Sequence, residues 1–337
     1  MTFSIADLSH RVDAELRDVF QSRDMPLYRM LSYHLAWEDR NGEPELRAGR
    51  DRVYGSACLA ACAAAGGDIE SALPAAAAVE MVNAFAQIHD DVEGGNQHRA
   101  NRDAVWAVWG PAQAINAGDG MHALARLALL RLMKRGVSPE KTFRATQLMD
   151  RASLALCEGR YDDLEAQERI NLSVKAYLKM AEAKSGALLG CAMRLGALVA
   201  QDDEQAGKAM GECGTKAGLA LQVQADADAL WSPGGNTVEA AIEVLNKKKL
   251  LPVVYAIEKA DVRDKRRLGD IYFKRVLGRE DIDAIRTLAE GLGAREFCNE
   301  TVSRLRGEAA AAVDGAGLKA DATRSMKKFV DFLFEGR

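Results

Sequence analysis

Two acidic clusters stand out among the residues whose types and spacing could do chemistry. Asp90 and Asp91 are adjacent within Ile88-His89-Asp90-Asp91-Val92-Glu93, so Glu93 follows Asp90 at i+3, and Asp226 and Asp228 form a second cluster. Carboxylates suit hard cations such as Mg²⁺, and lysines and arginines suit phosphate groups. Neither cluster carries that chemistry alone. Adjacent aspartates are more often a solvated helix end, Lys247-Lys248-Lys249 reads first as a solvated charge run, and His89 reads first as a hydrogen-bonded helix histidine.

The elements that must position these residues are helices. Of 337 residues 48% are hydrophobic but only 6% aromatic, with Ala and Leu supplying much of the apolar content, and only 7 prolines interrupt the chain. That composition favours helix. Pro74 is expected to open a helix of about 20 residues whose C-terminal end delivers Asp90 and Asp91. Further helices are expected over 11–36, 48–65, 112–134, 139–166, 173–200, 204–231, 237–257 and, with breaks, 281–335. Strand alternation is essentially absent. Breaks at Gly94-Gly95, Gly118-Asp119-Gly120 and Pro233-Gly234-Gly235-Asn236 are too short for domain linkers, so the expectation is an all-α chain forming one domain over 1–337.

A net charge of −4 with interspersed signs argues against a nucleic-acid partner, and Ala57–Ala65, the longest nearly unbroken apolar stretch, is about half a membrane span. Asp7, Asp13 and Glu15 stand where a signal peptide would be apolar. A cytoplasmic protein without a membrane span is expected. Cys58, Cys62, Cys157, Cys191, Cys213 and Cys298 form no CxxC pair and are expected to be buried thiols.

The order of the motifs adds more than any one of them. After the 88–93 run come Arg99 and Arg102, Trp109-Gly110 and Ala114-Ile115-Asn116-Ala117-Gly118-Asp119. Then follow Glu158-Gly159 with Asp163, Tyr177 with Lys184-Ser185-Gly186-Ala187-Leu188, Gly214, Gly218, Ala220-Leu221-Gln222, and Lys248 with Leu251-Pro252. Across roughly residues 48 to 256 this resembles the trans-isoprenyl diphosphate synthases, or polyprenyl synthetases. The resemblance implies an isoprenoid-synthase helical bundle around a central cavity, Mg²⁺ as cofactor and an allylic prenyl diphosphate as substrate, typically in a homodimer. It places metal on Asp90, Asp91, Glu93 and Asp226, with Asp90 and Asp91 catalytic, and puts substrate on Arg99, Lys184, Lys248 and Gln222. Phe85, five residues before Asp90, stands where the family often limits the prenyl pocket, which suggests C15 to C20; ordinary core packing is an equally good reading. Breaking an allylic C–O bond leaves a carbocation and a multiply charged diphosphate, which explains the demand for cations, basic donors and dry apolar walls.

Departures from that pattern redirect the reading. The fifth position of the first DDxxD motif is Gly94, and the second motif reads Ala225-Asp226-Ala227-Asp228-Ala229. Allylic-site matches Arg99, Lys184 and Lys248 remain. The isopentenyl-diphosphate site is eroded: its paired arginine is Ala100, and its GGKRLRP-like segment reads Ala48-Gly49-Arg50-Asp51-Arg52-Val53-Tyr54. The sequence therefore favours a synthase-like terpene synthase that ionises an allylic diphosphate without adding isopentenyl diphosphate. One alternative is a chain-elongating prenyltransferase, with Arg50 or Arg52 rescuing diphosphate binding. The other is a catalytically reduced partner subunit of an active synthase, in a heteromer.

Overall fold

The computed structural model describes residues 4–45, 51–167, 169, 171–231, 244 and 248–335. Ala48, Gly49 and Arg50, the Pro233–Asn236 break, and Lys247 lie outside the described residues, as does most of the helix expected over 237–257.

The helix signals in the sequence resolve into α1 (Ile5–Phe20), α2 (Pro26–His34), α3 (Val53–Ala64), α4 (Ile69–Glu93), α5 (Val105–Trp109), α6 (Pro111–Leu130), α7 (Pro139–Gln167), α8 (Val174–Ala181), α9 (Ala187–Ala200), α10 (Glu204–Trp231), α11 (Leu251–Lys259), α12 (Val262–Phe273), α13 (Arg279–Gly291), α14 (Ala294–Asp314) and α15 (Ala320–Phe332). Two short stretches depart from α geometry: a 3₁₀ turn over Arg131–Arg135 and a π turn over Glu182–Gly186. One run with a helical period in the sequence divides: 11–36 splits between α1 and α2, with Ser22 at φ 65° in the break.

Two compact units account for the described residues. Unit one comprises Met1–Ser153, Leu188–Gly214 and Ala310–Arg337; unit two comprises Leu154–Ala187 and Thr215–Ala309. In unit one, α4 packs against α3 and α6 and is buried around nearly its whole circumference from Ala72 to Val82, which is the signature of a central helix. Its run of alanines makes that possible, because small side chains let neighbouring backbones approach. α9 and α3 also approach closely: a Cβ at Gly196 on α9 would overlap the carbonyl oxygen of Cys58 on α3. In unit two, Leu230, Val244, Leu250, Val253, Leu268, Ile282 and Ile285 form the apolar core, with Ala229 and Tyr272.

Three expectations are corrected. Pro74 lies inside α4 rather than at its start, because Asp68 caps the helix six residues earlier through the backbone N–H groups of Glu70 and Ser71; proline there forgoes one internal hydrogen bond. A short hairpin pairs His98–Arg99 (β1) with Arg102–Asp103 (β2), a pairing too brief to leave an alternating pattern. Cys157 is exposed, whereas the other five thiols are buried. The continuous helical run Val174–Ala200 is long and apolar enough to cross a membrane by length and composition, although 61% of its apolar window is buried within the protein, as in a core helix.

Candidate active site

In unit one the site is the C-terminal end of α4. Gly94 and Gly95 end the helix there by a Schellman arrangement: Gly95 N–H donates to Val92 O, and Asn96 N–H to Asp91 O at 2.9 Å, with Gly95 at φ 64°. The family's fifth carboxylate position thus falls on the helix stop. Asp90, Asp91 and Glu93 all occupy the last turn, where the helix dipole is negative and no basic residue of α4 offsets it. Each carboxylate there costs the isolated helix about 0.3–1 kcal/mol, so the arrangement concentrates negative charge against local preference.

Arg99 answers that charge from the hairpin. Its Nε and Nη2 donate to both Asp91 oxygens at 2.7–3.0 Å, and Nη2 reaches Asp90 Oδ2 at 3.2 Å. Burial pushes the Asp91 carboxyl above its ordinary value, outweighing Arg99, and Asp90 adds to the rise. Burial alone would lower the Arg99 pKa, but Asp91 and Asp90 outweigh it and raise it. The site remains more negative than one arginine satisfies, and two carboxylates completed by substrate phosphates and water are an ordinary Mg²⁺ environment. The Asp90–Asp91 pair fits such an ion. A protein-only cage does not form: no group of three His, Cys, Asp or Glu side chains able to hold a metal occurs among the described residues. Glu93 is exposed at the helix end.

Neighbouring residues support this end. A Cβ at Gly118 would overlap the His89 ring, so glycine lets α6 press against α4. His89 Nε2 meets Ile115 O at 3.0 Å and therefore carries the proton as donor. Phe85 packs between His89 and His122, with ring centroids 4.8 and 5.0 Å away.

The structure gives two arginines from the sequence motifs other work. Arg102 stacks over Tyr33 at 4.1 Å and donates to the carbonyls of Tyr33 and Glu38. Arg52, which with Arg50 is one of the two arginines expected to rescue diphosphate binding, is buried with Nη2 on Asp13 Oδ1 and Leu35 O. Ala100, in the place of the paired arginine, occupies the hairpin turn at φ 50°, followed by Asn101 at φ 60°. These are the type I′ signs that suit asparagine and glycine. Ala100→Gly should therefore raise stability by about 0.5 kcal/mol, the relieved left-handed strain slightly exceeding the entropy glycine adds to the unfolded chain; the urea midpoint measures it.

In unit two the residues converge on Asp226, which is fully buried. It accepts from Tyr177 Oη, from Gln222 Nε2 at 2.8 Å and from the Leu251 N–H at 2.8 Å. Gln222 Oε1 in turn accepts from Ser185 Oγ at 2.7 Å. Both Asp226 oxygens join α8, α10 and the first residue of α11, and through Gln222 the π turn; the metal role expected of Asp226 rests on the resemblance. Ala229, a family metal position, lies in the apolar core of the unit. Lys184 sits in the π turn, 2.6 Å from Asp163, and lines one small cavity with Asp163, Tyr177, Gln222, Asp226 and Lys248.

Sequence reasoning selected Tyr177, Ser185 and Asp163 as motif members but gave them no partners. No sequence signal pairs Tyr177 with a residue 49 positions away. The glycines do carry a signal that geometry now explains: a Cβ at Gly159 would stand 2.5 Å from Lys184 N, and one at Gly218 2.7 Å from Ser185 O. Both glycines admit the π turn to close backbone contact. Gly159→Ala is expected to destabilise the protein by about 1–3 kcal/mol and to raise KM for a diphosphate substrate more than it lowers kcat; wild-type KM would exclude a binding role for the turn.

The sequence model of the family described as polyprenyl synthetase matches residues 46–289. The chain is 38% identical over 245 residues to the geranylgeranyl diphosphate synthase of Mycobacterium tuberculosis, covering 72% of this chain and 68% of that one. It is 30% identical over 308 residues to the (2E,6E)-farnesyl diphosphate synthase of the same species, covering 90% and 84%. Among solved structures, a polyprenyl synthetase from Streptomyces coelicolor A3(2) superposes with a TM-score of 0.88 at 30% identity, covering 98% of this chain and 99% of that one. A polyprenyl synthase from Caulobacter crescentus CB15, complexed with calcium and isoprenyl diphosphate, gives 0.83 at 27% identity, covering 99% and 98%.

Proposed function

The chain belongs to the polyprenyl synthetase family, and on that footing we propose that it is a trans-prenyltransferase joining an allylic prenyl diphosphate to isopentenyl diphosphate, giving a product of the farnesyl or geranylgeranyl class. The observation that carries the proposal is the crowding of Asp90 and Asp91 onto the negative end of α4, held by Arg99. Asp90 and Asp91 would hold a divalent ion, Mg²⁺ in this reading. When bound, it supplies positive charge to the departing diphosphate. Arg99, anchored through Nε and Nη2, keeps Nη1 as a further donor, since that atom makes no hydrogen bond among the described residues. Lys184 and Lys248 add positive charge in the unit-two cavity, where a developing oxyanion is stabilised by fixed donors. Gln222 positions the cavity through Asp226, and Phe85 limits the prenyl chain to about C15–C20. The reading of 1–337 as one domain is part of the proposal: the family match over residues 46–289 takes in stretches of both units.

Ionisation without an isopentenyl acceptor is the second reading. It is favoured by Ala100 and by the engagement of Arg52 with Asp13, which leave two acceptor-site positions without a donor for a second diphosphate. One experiment separates the two. The purified protein is incubated with Mg²⁺ and C10, C15 or C20 allylic diphosphate, with and without isopentenyl diphosphate. Longer diphosphates formed only with isopentenyl diphosphate support prenyl transfer; hydrocarbons or alcohols formed without it support the second reading. Absence of both sinks each of them.

A homodimer is part of the same proposal. Leu154, Cys157, Tyr161 and Leu164 are exposed along α7 at intervals of three and four residues, the spacing of a helix seam. Replacing both Leu154 and Tyr161 by Glu should halve the mass in solution measured by light scattering.

A further inference from the structure

The three most exposed large apolar side chains among the described residues are Val262 at 80%, Val276 at 79% and Phe273 at 76%, all in one short segment of unit two. α12 buries Leu268 and Tyr272 on one face. At 100° per residue, Val262, Gly269 and Phe273 fall on another face, about 100° around the helix, and a side chain at Gly269 would meet only open space. The segment therefore carries a second apolar ridge that nothing among the described residues covers.

Basic residues surround that ridge. Between 262 and 279 the chain has Arg263, Lys265, Arg266, Arg267, Lys274, Arg275 and Arg279 against Asp264 and Asp270, in a protein whose net charge is −4. All seven are exposed. Lys274 is bonded to Asp281, and Arg267 lies 3.7 Å from Asp264; the other five make no ion pair among the described residues.

We propose that this face of α12 and the turn after it docks on an anionic lipid bilayer, with Phe273 and Val276 entering the interfacial layer and the arginines and lysines on the headgroups. The combination decides the partner. A second copy of the chain would set seven positive charges against seven in a two-fold contact, and a nucleic-acid backbone would leave the ridge in water. An anionic bilayer offers both the negative surface and the apolar layer beneath it, and each basic residue near such a surface adds about 1 kcal/mol.

Flotation of the full-length protein with lipid vesicles tests this. Vesicles containing about one-third phosphatidylglycerol should bind at least tenfold more protein than pure phosphatidylcholine vesicles at low salt, and ~0.5 M NaCl should abolish the difference. Phe273→Ser with Val276→Ser, and separately Arg263→Glu with Arg266→Glu, should each reduce binding about tenfold, with turnover of allylic diphosphate and solution mass unchanged. Equal binding to both vesicle types, or none to either, overturns the proposal. So does retention on immobilised RNA without vesicle binding, which makes the patch a nucleic-acid contact. A fall in solution mass in the Phe273/Val276 variant also overturns it, making the ridge a contact between copies.

Discussion

Replacing Asp90 by Ala is expected to lower turnover of an allylic diphosphate by about 10³-fold while leaving the unfolding midpoint nearly unchanged. Asp90 is on the last turn of α4 with a quarter of its side chain exposed, and its contact to Arg99 is the longer one, at 3.2 Å. Removing it also relieves a carboxylate at the negative end of the helix dipole, which offsets part of the lost ion pair. Its neighbour should behave differently. Asp91 is buried and takes three of the four Arg99 hydrogen bonds, so Asp91→Ala should reduce both activity and stability. Steady-state kinetics and urea unfolding on the two variants distinguish these profiles. Wild-type turnover in the Asp90 variant would falsify the assignment of this helix end to the reaction.

Asp226→Ala should show the opposite balance, losing about 3 kcal/mol or more of stability. The substitution strands Tyr177 Oη, the Gln222 amide and the Leu251 N–H, and each buried donor left without a partner costs about 1–3 kcal/mol. Asp226→Asn should be milder, because the amide keeps one acceptor oxygen while placing an NH₂ group against donors. Activity per folded molecule should fall in the alanine variant through misplacement of Lys184 and Lys248, and it should fall less than in Asp90→Ala. Chemical denaturation of both Asp226 variants decides this: an unchanged midpoint would mean that Asp226 does not organise the unit-two cavity.

The two aspartates illustrate how much of the site could be read in advance. Asp90 and Asp91 were legible because a carboxylate pair at the end of an apolar helix has local causes: Asp68 starts the helix, and Gly94-Gly95 ends it. Asp226 looked like a fragment of a second metal motif because its neighbours in sequence are the alanines of that motif. Its partners Tyr177 and Leu251 are distant along the chain. Arg52 and Arg102 are partnered in the same way: as residue types they suit phosphate, and in the fold they donate to Asp13 and to the carbonyls of Leu35, Tyr33 and Glu38.

The sequence by itself determined the helical class, the family, and the residues from which a diphosphate site could be built. Helix propensity, capping and glycine placement act over a few residues, and the ordered motifs preserve them in the letters. Only the tertiary structure decided which charged groups are committed to one another. Arg99 pairs with Asp91, Lys184 with Asp163, and Asp226 accepts from Tyr177, Gln222 and the Leu251 N–H. The bonds of Lys184 to Asp163 and of Tyr177 and Leu251 to Asp226 join positions 21, 49 and 25 residues apart, and a buried polar group takes whichever partner the packing brings within reach.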